Sequence, residues 1–159
     1  MSQVTHKLRP YQPADEEAAI GLWQRGWQQA YPQIDFAKRV EWFREHWRDL
    51  QLHSRIVVAE PALESEQLAG FVAVSPRSGY LDQIVVAPEA QHSGVGKLLI
   101  DAAKQIGREG LYLHVNKDNE RGLAFYQKCG FVISGEDVNR RSGAPVYMMT
   151  WRPVQAPEP

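Results

Sequence analysis

Two glycines stand two residues apart in "QHSGVGK", between the apolar run "IVVAPEA" and an apolar helical pattern. Small residues at such a junction let successive backbone N–H groups converge on an anion at a helix N-terminus, where the helix dipole favours negative charge. The chemistry implied is the grip of a phosphate-bearing ligand. A triphosphate loop needs a glycine where Gln91 stands and Ser or Thr where Leu98 stands. A dinucleotide fingerprint needs a third glycine at Leu99 and an acid closing the next strand, where the chain has Asn116. What survives is an anion held by backbone amides at a helix N-terminus, which a pyrophosphate would fit with no acid or metal ligand nearby.

Other chemically capable residues are scattered. His6, His46 and His53 read as isolated surface histidines, and no His/Cys/Asp group has zinc spacing, so no metal is expected. Cys129 ends a helical pattern, where the dipole opposes a thiolate, so packing is expected rather than nucleophilic attack. Trp23, Trp27, Trp42 and Trp47 recur at helical spacing without a basic stripe, which reads as core or pocket lining and not as a nucleic-acid stacking platform.

The elements that must position these residues follow from periodicity. "VTHKLRPY" reads as a first strand, followed by a helix with Ala19, Leu22, Trp23, Trp27 and Ala30 on one face. Asp35 caps a second helix bearing Phe36, Val40, Phe43, Trp47 and Leu50. "RIVVAE", "LAGFVAVS" and "YLDQIVV" form an antiparallel meander, with "PALESEQ" and "PRSG" as its turns. The helix after the glycine loop carries Leu98, Leu99, Ala102, Ala103 and Ile106 and closes at Gly107 and Gly110. "LYLHV" then pairs in parallel with "YLDQIVV". A short helix, "ERGLAFYQKC", and two strands, "FVISGE" and "APVYMMTW", joined by the loop "DVNRRSG", complete the pattern.

Composition bounds the function. A chain of 159 residues with 43% hydrophobic content suits one domain with a sizeable core. Its 18 basic and 19 acidic residues nearly cancel, which gives no reason to expect nucleic acid or a membrane surface as partner. The N-terminus lacks a signal-peptide core, and no apolar run approaches the roughly 18 residues of a membrane span. With Cys129 alone, no internal disulfide is possible, and a cytoplasmic location is the expectation.

"QHSGVG" is similar to the Gln/Arg-x-x-Gly-x-Gly/Ala signature of the GNAT superfamily of acyl-coenzyme A-dependent N-acyltransferases. "NKDNERGLAFYQKCGF" resembles its second signature, an Asn followed by a helix carrying Phe-Tyr and ending in Gly-Phe. The resemblance covers residues 4–152, with 153–159 as a flexible tail. It implies an α+β single domain with a mixed, twisted sheet of about seven strands, flanking helices and a splayed central parallel strand pair.

That resemblance also assigns roles. Backbone of Ile84, Val85 and Val86 would pair with the pantetheine arm of acetyl-coenzyme A, and the amides of His92, Ser93, Gly94, Val95, Gly96 and Lys97 would hold its pyrophosphate. Gln91 would brace the loop, Asn119 would contact the arm, Phe125 and Tyr126 would line the cofactor side, and Lys128 would lie near the adenosine end. Tyr126 would protonate the departing thiolate, and Val86 N–H would stabilise the oxyanion.

The attacking amine must lose a proton. Strand alternation sets Tyr80, Asp82 and Ile84 on one face, so Asp82 points to the cleft as the first candidate base; His114 and a water chain are the others. Arg140 and Arg141 read as a hairpin tip bordering the acceptor cleft, open to an anionic substrate group. The expected partner is a small-molecule amine, acetylated by direct attack in a ternary complex, and a homodimer is left open. A protein α-amine or lysine is the rival acceptor, and a coenzyme A-binding sensor without turnover is the rival of another class.

Overall fold

The computed structural model describes residues 6–61 and 67–154. Helix α1 (Glu16–Ala30) starts beyond a short turn opened by Pro13, with Glu16 and Glu17 complementing its dipole. It buries Ala19, Ile20, Leu22 and Trp23, while Ala30, expected on the same face, is exposed at the helix end. Asp35 accepts a hydrogen bond from Ala37 N–H at 3.1 Å and so caps a tight turn, Phe36–Arg39, that leads into α2 (Val40–His53). Trp23 stacks on Phe43 at 4.2 Å between ring centroids, and Trp47 meets Phe71 edge-on at 5.0 Å. These aromatic contacts fasten α1 and α2 together and onto one face of a sheet.

That sheet contains β1 (Leu8–Pro10), β2 (Arg55–Ala59), β3 (Gly70–Val74) and β4 (Leu81–Val86), antiparallel in chain order. Val4 and Thr5 of the expected first strand, the centre of the "PALESEQ" turn and the tail beyond Val154 lie outside the described residues. Every residue of β3 is buried because both its faces are covered. The second cover is α3 (Val95–Ile106), whose Val95, Leu99, Ile100 and Ala103 are buried. A Cβ on Gly70 would come within 2.9 Å of Leu99 and 3.1 Å of Val95, so a glycine there lets α3 approach the sheet.

β5 (Leu111–Asn116), β6 (Val132–Val138) and β7 (Pro145–Trp151) form a second antiparallel sheet in the order β5-β7-β6, and α4 (Glu120–Lys128) connects β5 to β6. β6 extends through Asp137 and Val138, which the sequence assigned to the loop, because both pair with β7. Among the described residues, seven strands thus belong to two sheets, joined by one parallel bridge, Tyr80–Tyr112. The expected parallel pair β4–β5 exists at that bridge and splays beyond it.

Candidate active site

At the bridge the Tyr80 and Tyr112 rings lie 4.8 Å apart, and Tyr112 N–H donates to Gly79 O at 3.0 Å. Farther along, the register of β4 with β3 turns the N–H and C=O of Ile84 and Val86 away from β3, toward the gap before β5. Val85 behaves differently: it bonds toward β3, and its side chain packs so closely on α1 that a Cβ on Gly26 would sit 2.8 Å from it. The open edge therefore belongs to Ile84 and Val86.

A cleft of about 1860 Å³ fills the gap, lined by Ile84 and Val86, by Gln91, His92, Gly94, Gly96 and Lys97 of the loop, by the exposed side of α4, and by the end of α1 at Gln29 and Tyr31. The loop enters α3 through His92 (φ 64°) and Gly94 (φ 92°), both in the left-handed region that favours glycine. A Cβ on Gly94 would meet nothing within 4 Å, so that position faces open space at the head of a twelve-residue helix. Gly96 is small for another reason. Its Cβ would press on the Phe125 ring at 3.1 Å, so the glycine lets α4 pack against the start of α3.

The remaining loop residues divide. Ser93 uses both donors inside the turn: its N–H reaches Ala90 O at 3.3 Å, and its hydroxyl donates to the same oxygen. Gln91 Nε2 donates to Gln29 Oε1 at 2.9 Å and ties the loop to the end of α1. Lys97 is exposed and forms a weak surface pair with Asp101 at 3.8 Å. Asn119 caps α4, its Oδ1 accepting from Gly122 N–H at 2.9 Å. Tyr126 stands edge-on to Phe125 and Phe131, at 5.4 and 5.7 Å, on the cleft wall, and burial pushes its phenol above the ordinary range. Its hydroxyl has no hydrogen-bond partner among the described residues. Lys128 is exposed along the same wall. Cys129 is half-buried after α4, and burial raises its thiol, which fits packing.

Asp82 lies on the opposite side of the sheet from where alternation sets it. Ala73 pairs with Gln83 and Val74 with Leu81, so Asp82 is an extra residue in a β-bulge. The bulge swings its side chain away from the face shared by Ile84 and Val86 and toward α2. There Asp82 Oδ1 meets His46 Nε2 at 2.7 Å, with Gln83 Nε2 at 3.3 Å from the same oxygen. His46, expected as a lone surface histidine, is instead half-buried, its ring stacked on Trp42 at 5.2 Å and 11°. Its pKa is raised, first by the Asp82 hydrogen bond and against the opposing effect of burial.

One contact closes this α2 side, and another, at the end of α1, belongs to the cleft wall. Arg141, at the β6–β7 tip, lays its guanidinium 3.6 Å over the Trp42 ring. At the end of α1, the Tyr31 hydroxyl donates to Asp118 at 3.0 Å and accepts from Asn116 Nδ2 at 3.0 Å. His114 Nδ1 is engaged with the Tyr80 hydroxyl at 3.0 Å, and burial pushes the Tyr80 phenol up to about 12. The spacing of α2 puts His46 one turn beyond Trp42, but nothing local announces a partner 36 residues away.

A sequence model described as the acetyltransferase (GNAT) family matches residues 16–131. Spermidine N(1)-acetyltransferase of Thermoplasma acidophilum is 28% identical over 147 residues, which span 82% of this chain and 91% of that one. Peptidyl-lysine N-acetyltransferase YjaB of Escherichia coli is 32% identical over 86 residues, 54% of this chain and little more than half, 56%, of that relative's length. Among solved structures, the PaiA N-acetyltransferase of Thermoplasma acidophilum in complex with coenzyme A superposes with a TM-score of 0.75 at 20% identity, covering 93% of this chain and 99% of that one. The apo form of YjaB gives 0.72 at 23% identity, covering 92% and 97%. With the family match spanning most of the chain and the same fold in these structures, the chain belongs to the acetyltransferase (GNAT) family.

Proposed function

We propose that the protein transfers acetyl from acetyl-coenzyme A to the primary amine of a small metabolite, by direct attack in a ternary complex. The residues present fit the co-substrate: an unpaired strand edge at Ile84 and Val86, a loop with positive φ at the head of α3, and open space at Gly94 all border one cleft. When bound, acetyl-coenzyme A would supply the acetyl group as a thioester, with coenzyme A leaving as the free thiol. The N–H of Val86 faces the gap and would polarise the thioester carbonyl. Tyr126, protonated at neutral pH, would donate its phenolic proton to the departing sulfur. Removal of the amine proton falls to the site that Asp82 occupies in the bulge, on the far side of β4 from the cleft.

One observation carries the preference for a small acceptor. Arg141 over Trp42 joins the β6–β7 tip to α2, and this strap limits the room through which a folded protein's lysine would reach Asp82. The relatives pull both ways, since one is named for spermidine and another for peptidyl-lysine. The deciding test is thiol release from acetyl-coenzyme A across a panel of free amines, polyamines, lysine peptides and N-terminal peptides, with mass measurement of the products. A free small amine is expected to show the highest kcat/KM. Faster acetylation of a peptide than of every free amine would overturn the small-acceptor reading.

A further inference from the structure

We infer that His46 is the group that takes the proton from the acceptor's ammonium, through its Nδ1, and that Asp82 is a positioning residue holding the imidazole by Nε2. The inference rests on the acetyl-transfer reading and names a catalytic residue within that site. Three observations, one on β4 and two on α2, support it.

The bulge in β4 has a consequence that an unbroken strand would lack: it carries the Asp82 carboxylate across the sheet to α2, where its Oδ1 binds His46 Nε2 at 2.7 Å. A carboxylate accepts and an imidazole nitrogen donates, so the neutral ring keeps its proton on Nε2 and its lone pair on Nδ1. Nδ1 has no hydrogen-bond partner among the described residues and is not among their buried, unpartnered atoms, so it is open to solvent. The ring plane is fixed by stacking on Trp42. One nitrogen anchored to a carboxylate, a fixed plane and one free nitrogen form the arrangement a proton acceptor needs.

Chemical matching selects His46 over Asp82. Carboxylates as a class are far weaker bases than amines, whereas an imidazole raised by an anion beside it comes closer to the ammonium it must deprotonate. The charged groups facing the ring are Asp82 from β4, Asp49 from its own helix and Arg141 from the β6–β7 tip. The two acids favour the imidazolium and the arginine opposes it. Four residues of strand, about 13 Å, separate Asp82 from Val86. The proton therefore leaves the ammonium as the acceptor enters, directly or along a water, and not from the tetrahedral intermediate. The step balances: the ammonium becomes a neutral amine, Nδ1 becomes N–H, and the imidazolium beside the Asp82 carboxylate later returns its proton to water through the same nitrogen.

The test pairs a titration with a rate profile. Nitrogen-15 NMR of the intact protein follows the His46 imidazole in wild type and in Asp82→Asn. The ring is expected to titrate above the ordinary imidazole value in the first and to fall back toward it in the second. The kcat/KM of wild type, Asp82→Asn and His46→Gln is then measured from pH 5.5 to 9.5 with spermidine and with the best amine of the panel, alongside acetyl-coenzyme A affinity and melting temperature. Wild type should rise with pH through the NMR-measured value. Asp82→Asn should rise at lower pH and reach a plateau about tenfold lower, while His46→Gln should lose that rise and about 10²-fold in rate, with cofactor affinity unchanged. A folded His46→Gln protein that keeps the wild-type rise overturns the role of His46 while leaving acetyl transfer standing. Failure of the wild-type protein to acetylate any amine overturns the acetyl-transfer reading and this inference with it.

Discussion

At the residue scale, the proposed roles of Tyr126 in chemistry and Gly94 in grip can be tested separately. Tyr126→Phe keeps the ring wedged between Phe125 and Phe131 and deletes only the donor. Coenzyme A thiol is itself moderately acidic, so the loss should sit near the lower end of general acid effects, about 10²-fold in single-turnover rate, with acetyl-coenzyme A affinity unchanged. A wild-type single-turnover rate in that variant would return Tyr126 to a packing role. At Gly94 the cost is in the backbone and not in a clash, because φ is 92° and the space beyond is open. A Val there should cost roughly 1–2 kcal/mol of stability and should displace the amides that follow. Calorimetric titration should show weaker acetyl-coenzyme A binding in a folded protein, and unchanged affinity would remove the loop from the cofactor site.

Elements are held in register by a few specific contacts, and each can be loosened alone. Gly96 is the point where α3 and α4 touch, so Gly96→Val should overpack against Phe125 and cost about 1–3 kcal/mol, seen as a lower melting temperature together with weaker cofactor binding. Asn119→Ala removes the cap of α4 and should cost ~1 kcal/mol, with a smaller effect on binding. The His46–Asp82 pair ties α2 to β4, and its pH dependence has a definite sign. Because the folded-state pKa of His46 is raised, its contribution is complete below the ordinary imidazole value of about 6.5 and is lost as pH rises through the raised value. Melting curves should therefore show His46→Gln most destabilised relative to wild type near pH 6, with the gap narrowing toward pH 9. A gap that widens with pH would contradict the pairing.

At the scale of the molecule, the decisive feature is that the two sheets of the described residues meet at the Tyr80–Tyr112 bridge and part beyond it, leaving a cleft on one side and the α2 surface on the other. The strap from Arg141 to Trp42 and the contacts of Tyr31 with Asn116 and Asp118 span the two halves. Arg141→Ala should open the acceptor side without touching the cofactor cleft. Its amine KM should rise roughly two- to fivefold, the equivalent of ~0.5–1 kcal/mol for an exposed cation–π contact, while acetyl-coenzyme A affinity stays constant. Steady-state kinetics in both substrates checks this, and an equal change in cofactor affinity would place Arg141 on the other side of the sheet. Relative rates on lysine peptides should improve in the same variant if the strap excludes them.

Local sequence determined the elements, because periodicity is a property of neighbouring residues. The stripes of α1, α2 and α3, the β2–β3–β4 meander and the glycine loop ahead of α3 were all legible from spacing. The two signatures gave the family, since "QHSGVG" and the Asn-to-Gly-Phe segment are each continuous in the chain. The side of the sheet on which Asp82 stands was not legible. Alternation has period two, and one extra residue inverts it; that residue exists only as a mismatch between Ala73–Val74 and Leu81–Gln83 on different strands. The role of His46 is hidden from spacing for the same reason, since its partner lies 36 residues away and only the packing of α2 on the bulged strand joins them. Gly96 shows the converse: its smallness was plain, but whether an anion or the Phe125 ring required it was decided by where α4 comes to rest.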